Sequence, residues 1–101
     1  ARVAGAIFNK QGEGPASDAR LKRDIVRVGG LDNGIALYRY RYLWSDEVYV
    51  GVMAQEVAPI LPDAVIRRSD GYLAVDYRKL GLRLMRWHEW TARSQPAAAA
   101  A

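Results

Sequence analysis

The sequence predicts a small α+β domain of antiparallel β-hairpins with a short central helix and a C-terminal helix. Three observations point there. Residues 35–44 (IALYRYRYLW) alternate Leu37, Arg39 and Arg41 with Tyr38, Tyr40 and Tyr42, the period of a strand with two unlike faces. Asp70-Gly71 sits between two β-prone runs, a hairpin turn signal. Beyond Asp76, Tyr77, Leu80, Leu84 and Trp87 recur at helical spacing. At 101 residues the chain has room for one core and not for two.

In chain order, Ile25 and Val26 open a first strand behind the charged stretch ASDARLKRD, residues 16–24. The Tyr/Arg strand comes next. Ser45-Asp46-Glu47 breaks its alternation, and VYVGVM (48–53) resumes it, which predicts an antiparallel hairpin. AQEVAPILPDA (54–64) carries Val57, Ile60 and Leu61 at helical spacing; we expect Pro59 in the first turn, where its missing N–H is harmless, and Pro62 as the stop. A strand at 64–67, a turn at Ser69-Asp70-Gly71 and a strand at 72–75 make a second hairpin. Asp76 is expected to cap the final helix, with Gly81 weakening it by about 1 kcal/mol relative to alanine.

The ends read differently. Residues 1–16 (ARVAGAIFNKQGEGPA) form an arm or linker, 17–91 the domain, and 92–101 a tail that ends in alanines. A chain beginning at Ala1 without methionine is expected to be a mature or trimmed product. With no cysteine, disulfides and thiolate metal sites are excluded, and a single histidine, His88, argues against a histidine metal site. No apolar run approaches the roughly 20 residues that span a bilayer. The net charge of +4 comes from 15 basic and 11 acidic residues spread along the chain, which allows a polyanion partner without pointing to one.

Several residues invite functional readings. Tyr38, Arg39, Tyr40 and Arg41 could stack bases and neutralise phosphates, but a half-buried strand uses tyrosine equally well for packing, so nucleic acid is the weaker reading. His88, between Trp87 and Glu89, reads as a surface or packing residue. Gln55 and Glu56 suit a helix first turn, and Asp63, Asp70 and Asp76 suit turns and caps. Ser17 and Lys22 could form a nucleophile and base if the lysine is held neutral by burial or by the flanking Arg20 and Arg23. Five residues apart on a flat strand, however, they point to opposite faces, so the pairing requires a bend.

SDARLKRDI, LYRYRYLW, YVGVMAQEVAPILPDAV and DGYLAVDYRKL, in this order and spacing over residues 17–82, resemble the peptidase S74 domain. That domain is the C-terminal intramolecular chaperone of phage tail spikes, tail fibres and endosialidases. The resemblance implies a domain that assists folding and trimerisation of a β-rich fibre on its N-terminal side and then cuts itself free. It implies Ser17 as nucleophile, Lys22 as base and Ala16-Ser17 as the scissile bond, with no external substrate, metal or cofactor. It also implies a protein partner in a larger assembly or a homo-oligomer such as a trimer, in a virion-associated or extracytoplasmic bacterial setting.

Two features depart from the family pattern. The last helix is interrupted at Gly81 without a heptad pattern, and only sixteen residues precede Ser17, too few for a fibre domain. The expectation is therefore a short freestanding relative, an assembly module docking through its terminal arms with self-cleavage weak or absent. An active autoproteolytic chaperone and a basic nucleic-acid-binding module are the alternatives.

Overall fold

The computed structural model describes residues 16–94. The arm before Ala16 and the tail after Ser94, on which the docking expectation rests, lie outside the described residues. Six strands form two antiparallel sheets: β1 (Lys22–Gly30), β2 (Ala36–Tyr42), β3 (Val48–Gly51) and β6 (Met85–Arg86) in that spatial order, and a separate pair, β4 (Val65–Arg67) with β5 (Leu73–Val75). Helices α1 (Ala54–Val57) and α2 (Trp87–Ser94) complete an α+β domain, as expected.

The two anticipated hairpins form. β2 and β3 pair with Tyr40 opposite Tyr49, and Ser45 closes the turn by donating its N–H to the Tyr42 carbonyl. β4 and β5 pair with Ile66 opposite Ala74; Gly71 takes φ +87°, which a side chain would resist, while Asp70 accepts the Tyr72 N–H. β1 also pairs with β2, around the loop 31–35, where Gly34 turns at φ +94° and the Asn33 side chain accepts the Ile35 N–H. That register sets Lys22 opposite Tyr42.

Three expectations are corrected. α1 stops at Val57, so Pro59 does not sit in its first turn; lacking an N–H, Pro59 cannot give the next helical bond to the Gln55 carbonyl. Pro62 starts a 3-10 turn, Pro62–Ala64, rather than only ending a helix. The helix expected to start directly after Asp76 is absent. Asp76 does cap, accepting the Arg78 N–H, but what it caps is a 3-10 turn, Tyr77–Leu80, which Gly81 closes at φ +71°. The chain then runs through β6 before α2 begins at Trp87, so Tyr77, Leu80, Leu84 and Trp87 share no helical face.

The core has two clusters. Ile35, Val52, Ala54, Val57, Ala64, Val75 and Tyr77 join the sheets to α1. Ala16, Tyr40, Tyr42 and Met53 form the other, under the start of the domain. Because alternate β2 side chains share a face, Tyr40 and Tyr42 turn inward together while Arg39 remains exposed. Arg39 lies 5.3 Å from the Trp87 ring centroid, and Trp87 stacks on Trp90. Among the described residues no helix is long and apolar enough to cross a membrane.

Candidate active site

The bend that Ser17 and Lys22 require is supplied by a 3-10 turn, Ala19–Leu21, between them. Such a turn advances about 2 Å per residue and rotates the chain, so two side chains that a flat strand would separate reach one side. Asp18 organises the turn. Its buried carboxylate accepts the Arg20 N–H (2.9 Å), the Arg20 guanidinium at Nε (3.0 Å) and Nη2 (2.8 Å), the Gln55 amide (2.8 Å) and the Leu73 N–H (3.1 Å). The Arg20 guanidinium first, and the other donors with it, hold the Asp18 carboxyl well below the usual carboxylate range. Gln55 also accepts the Ala19 N–H at 2.9 Å.

Ser17 is fully buried and Lys22 is 6% exposed. Lys22 Nζ lies 3.1 Å from Ser17 Oγ and donates to the Val52 carbonyl at 2.6 Å, a carbonyl that also accepts the Ser17 hydroxyl at 2.9 Å. Burial drives the Lys22 pKa well below the ordinary lysine range, against the opposing pull of Asp18. The Tyr40 ring centroid, 4.2 Å from Nζ, also favours the charged form. The flanking arginines are not the cause: Arg20 is committed to Asp18, and Arg23 to Asp24, Asp46 and the Ser45 carbonyl.

The backbone before the serine is pinned as tightly. Ala16 bridges to Ala74 in antiparallel fashion, Ser17 donates its N–H to the Leu73 carbonyl at 3.0 Å, and the Ser17 carbonyl accepts the Ala54 N–H at 2.9 Å. The Ala16 carbonyl accepts the Tyr42 hydroxyl at 2.7 Å. Tyr77 Oη accepts the Val52 N–H at 3.0 Å and stands 3.3 Å from Ser17 Oγ. Ser17, Lys22 and the Ala16-Ser17 peptide therefore meet in one buried place, drawn from the first turn, β2, the segment after β3, β5 and the turn at Tyr77.

Other candidates fall elsewhere. Tyr40, needed for base stacking in the nucleic-acid reading, is fully buried, and Arg41 pairs with Asp24 at 3.2 Å. Gln55 and Glu56 lie in the first turn of α1, as expected, but make no capping bond; Gln55 clamps Asp18, and Glu56 accepts the Tyr38 hydroxyl. His88 is exposed on α2, Asp70 orders its turn, and Asp63 lies in the 3-10 turn after α1. Among the described residues no three His, Cys, Asp or Glu side chains gather where they could hold a metal ion.

Sequence reasoning did not assign Tyr42, Tyr77 or the Val52 carbonyl to the site. The tyrosines of β2 read as packing and Tyr77 as part of a helix stripe. The missing signal was register: only the pairing of Lys22 with Tyr42 shows that the tyrosine face of β2 covers the serine and lysine.

No curated protein and no solved structure matches the chain. The family model for peptidase S74, described as chaperone of endosialidase, matches residues 17–66, beginning at the candidate nucleophile and taking in Lys22, Tyr42 and Val52 but not Tyr77. Through that segment the chain belongs to the peptidase S74 family.

Proposed function

We propose that this domain, a chaperone of the intramolecular kind, cuts its own chain between Ala16 and Ser17 once it has folded, and serves a protein partner in a larger assembly. The observation that carries this reading is the 3.1 Å approach of Lys22 Nζ to Ser17 Oγ in a buried pocket. A desolvated lysine resists protonation, and that is what a base for a serine hydroxyl needs. A purely structural core would gain by replacing a buried lysine with an apolar side chain, so its presence favours chemistry over a remnant.

The steps are set by the atoms present. Neutral Lys22 keeps one N–H on the Val52 carbonyl and accepts the Ser17 proton when the hydroxyl turns away from that carbonyl. Ser17 Oγ bonds to the Ala16 carbonyl carbon, closing a five-membered ring. Collapse breaks the Ala16-Ser17 C–N bond; the nitrogen takes the proton back from Lys22, leaving Ala16 as an ester on Ser17 Oγ. One water then hydrolyses the ester, giving an Ala16 carboxyl group and the restored Ser17 hydroxyl. The hydrogen bonds that build this geometry join residues as far apart in sequence as Asp18 and Leu73, or Val52 and Tyr77, so the reaction waits on the fold.

The test is the intact mass of freshly folded chain. The fragment beginning at Ser17 is expected for the wild type, and full-length chain for Ser17→Ala and Lys22→Ala. Full-length masses for all three, with circular dichroism showing folded protein, overturn the cleavage reading.

A further inference from the structure

We infer that Tyr42 is the electrophilic catalytic residue of this site, its hydroxyl polarising the Ala16 carbonyl and holding the oxyanion that forms there. The inference rests on the cleavage reading above for its chemistry and on independent geometry for its placement. A carbonyl oxygen only accepts, so the 2.7 Å contact fixes the Tyr42 proton on Ala16. That assignment orients the neighbouring pair as well. Tyr40 Oη lies 3.1 Å from Tyr42 Oη, and since Tyr42 has spent its only proton, Tyr40 is the donor between them. The result is a directed chain, Tyr40 to Tyr42 to the Ala16 carbonyl, in which each bond polarises the next.

The surroundings suit the role. Both phenols are fully buried, and their rings meet edge to face with centroids 5.1 Å apart, so the Tyr42 hydroxyl is held in place before any charge develops. Burial pushes both phenols well above the usual tyrosine range, so Tyr42 remains a protonated donor wherever Lys22 is neutral. Donors fixed on a developing oxyanion in a water-poor site are a large source of rate. When Ser17 Oγ adds to the carbonyl carbon, the π electrons move to the Ala16 oxygen, directly onto the Tyr42 proton. When the C–N bond breaks, the charge leaves that oxygen and the donor is unchanged.

Three measurements test this. Tyr42→Phe is expected to fold and to cut about 10²- to 10³-fold more slowly than wild type, with Tyr40→Phe losing far less. Wild-type rates for Tyr42→Phe beside an uncut Ser17→Ala remove Tyr42 and leave the Ser17 and Lys22 assignment standing; continued cutting by Ser17→Ala removes that assignment instead. Fluorinated tyrosines at position 42 vary phenol acidity with little change of shape; the rate is expected to track acidity, and a flat series overturns the proposal.

The third measurement does not depend on turnover. Ala16-Ser17 is the sole Ala-Ser pair in the sequence, so carbonyl-13C alanine with 15N serine gives one carbonyl-to-amide cross-peak. On a chain kept whole by Lys22→Met, adding Tyr42→Phe should move that carbonyl resonance upfield. An unmoved resonance overturns the proposal whether or not the wild type cuts.

Discussion

Gly51 offers a quantitative test of how tightly the tyrosines are fitted around Ser17. A Cβ built on Gly51 would overlap Tyr77 Oη, and would stand 3.2 Å from Tyr40 Oη and 3.3 Å from Tyr77 Cζ. In Gly51→Ala the buried Tyr77 ring must swing, costing about 1–3 kcal/mol for overpacking. The swing also breaks the 3.0 Å bond from the Val52 N–H, leaving a buried donor unpaired for about 1–3 kcal/mol more. The lower backbone entropy of the unfolded alanine chain returns about 0.4–1 kcal/mol. The net loss is about 1–6 kcal/mol. Tyr77→Phe alone strands the same N–H and costs about 1–3 kcal/mol. In the double variant the overlapping oxygen is gone and the new methyl meets ring carbon at the tight edge of ordinary contact. The pair should therefore fall short of the sum by about 2–6 kcal/mol, the overpacking together with the second count of the stranded N–H. The assay is urea unfolding monitored by fluorescence of Trp44, Trp87 and Trp90, on a Lys22→Met background that keeps the chain whole. Additivity within about 0.5 kcal/mol refutes the reasoning, because it would mean that the Gly51 Cβ and the Tyr77 hydroxyl do not compete for one space.

Three further outcomes concern charge. Burial depresses Lys22 in the folded state, so the unfolded chain binds the extra proton, and stability rises with pH from the depressed value up to the ordinary lysine range. Lys22→Met should remove a slope of up to about 1.4 kcal/mol per pH unit across that window, measured by denaturation at a series of pH values; an unchanged slope refutes a neutral buried lysine. The cleavage rate of the folded wild type should climb as pH rises through the depressed Lys22 value and stay level across this window. Asp18 acts in the same sense at lower pH, through a favoured charged form: its depressed carboxyl contributes stability above the ordinary carboxylate range that is lost as pH falls through and below it. Asp18→Asn should cost about 1–3 kcal/mol at neutral pH, since an amide cannot accept from every donor now converging there, and should blunt acid unfolding; a neutral-pH stability equal to wild type would contradict this.

The parts of the fold legible in the sequence were those written in local pattern. Tyr/Arg alternation and Asp70-Gly71 mark their hairpins because strand period and turn chemistry act over a few residues. The helix after Asp76 was misread because Tyr77, Leu80, Leu84 and Trp87 keep helical spacing while Gly81 takes a left-handed conformation that ends the turn at once. β6, only two residues long, exists through its pairing with Tyr49 and Val50, which no local window contains. In the site, Ser17 and Lys22 were recognisable as residue types, but their approach depends on a three-residue turn pinned by Gln55 and Leu73, distant in sequence. Tyr42 was visible only as a packing residue, because its role comes from strand register.

The depth of the Ala16-Ser17 peptide would also govern the fate of the two ends that the proposed hydrolysis creates. An amide is neutral and sits comfortably in the antiparallel bridge to Ala74. Its products are not: a new ammonium group would appear at Ser17 beside Lys22, and a new carboxylate at Ala16 against the Tyr42 hydroxyl, both where the intact chain excludes solvent. Unpaired charges in such a place are costly, and the carboxylate belongs to a segment then held by no covalent bond. Under the proposed cleavage, burial would act as a one-way ratchet: the enclosure in which Ser17 and Lys22 meet would also disfavour keeping the severed strand.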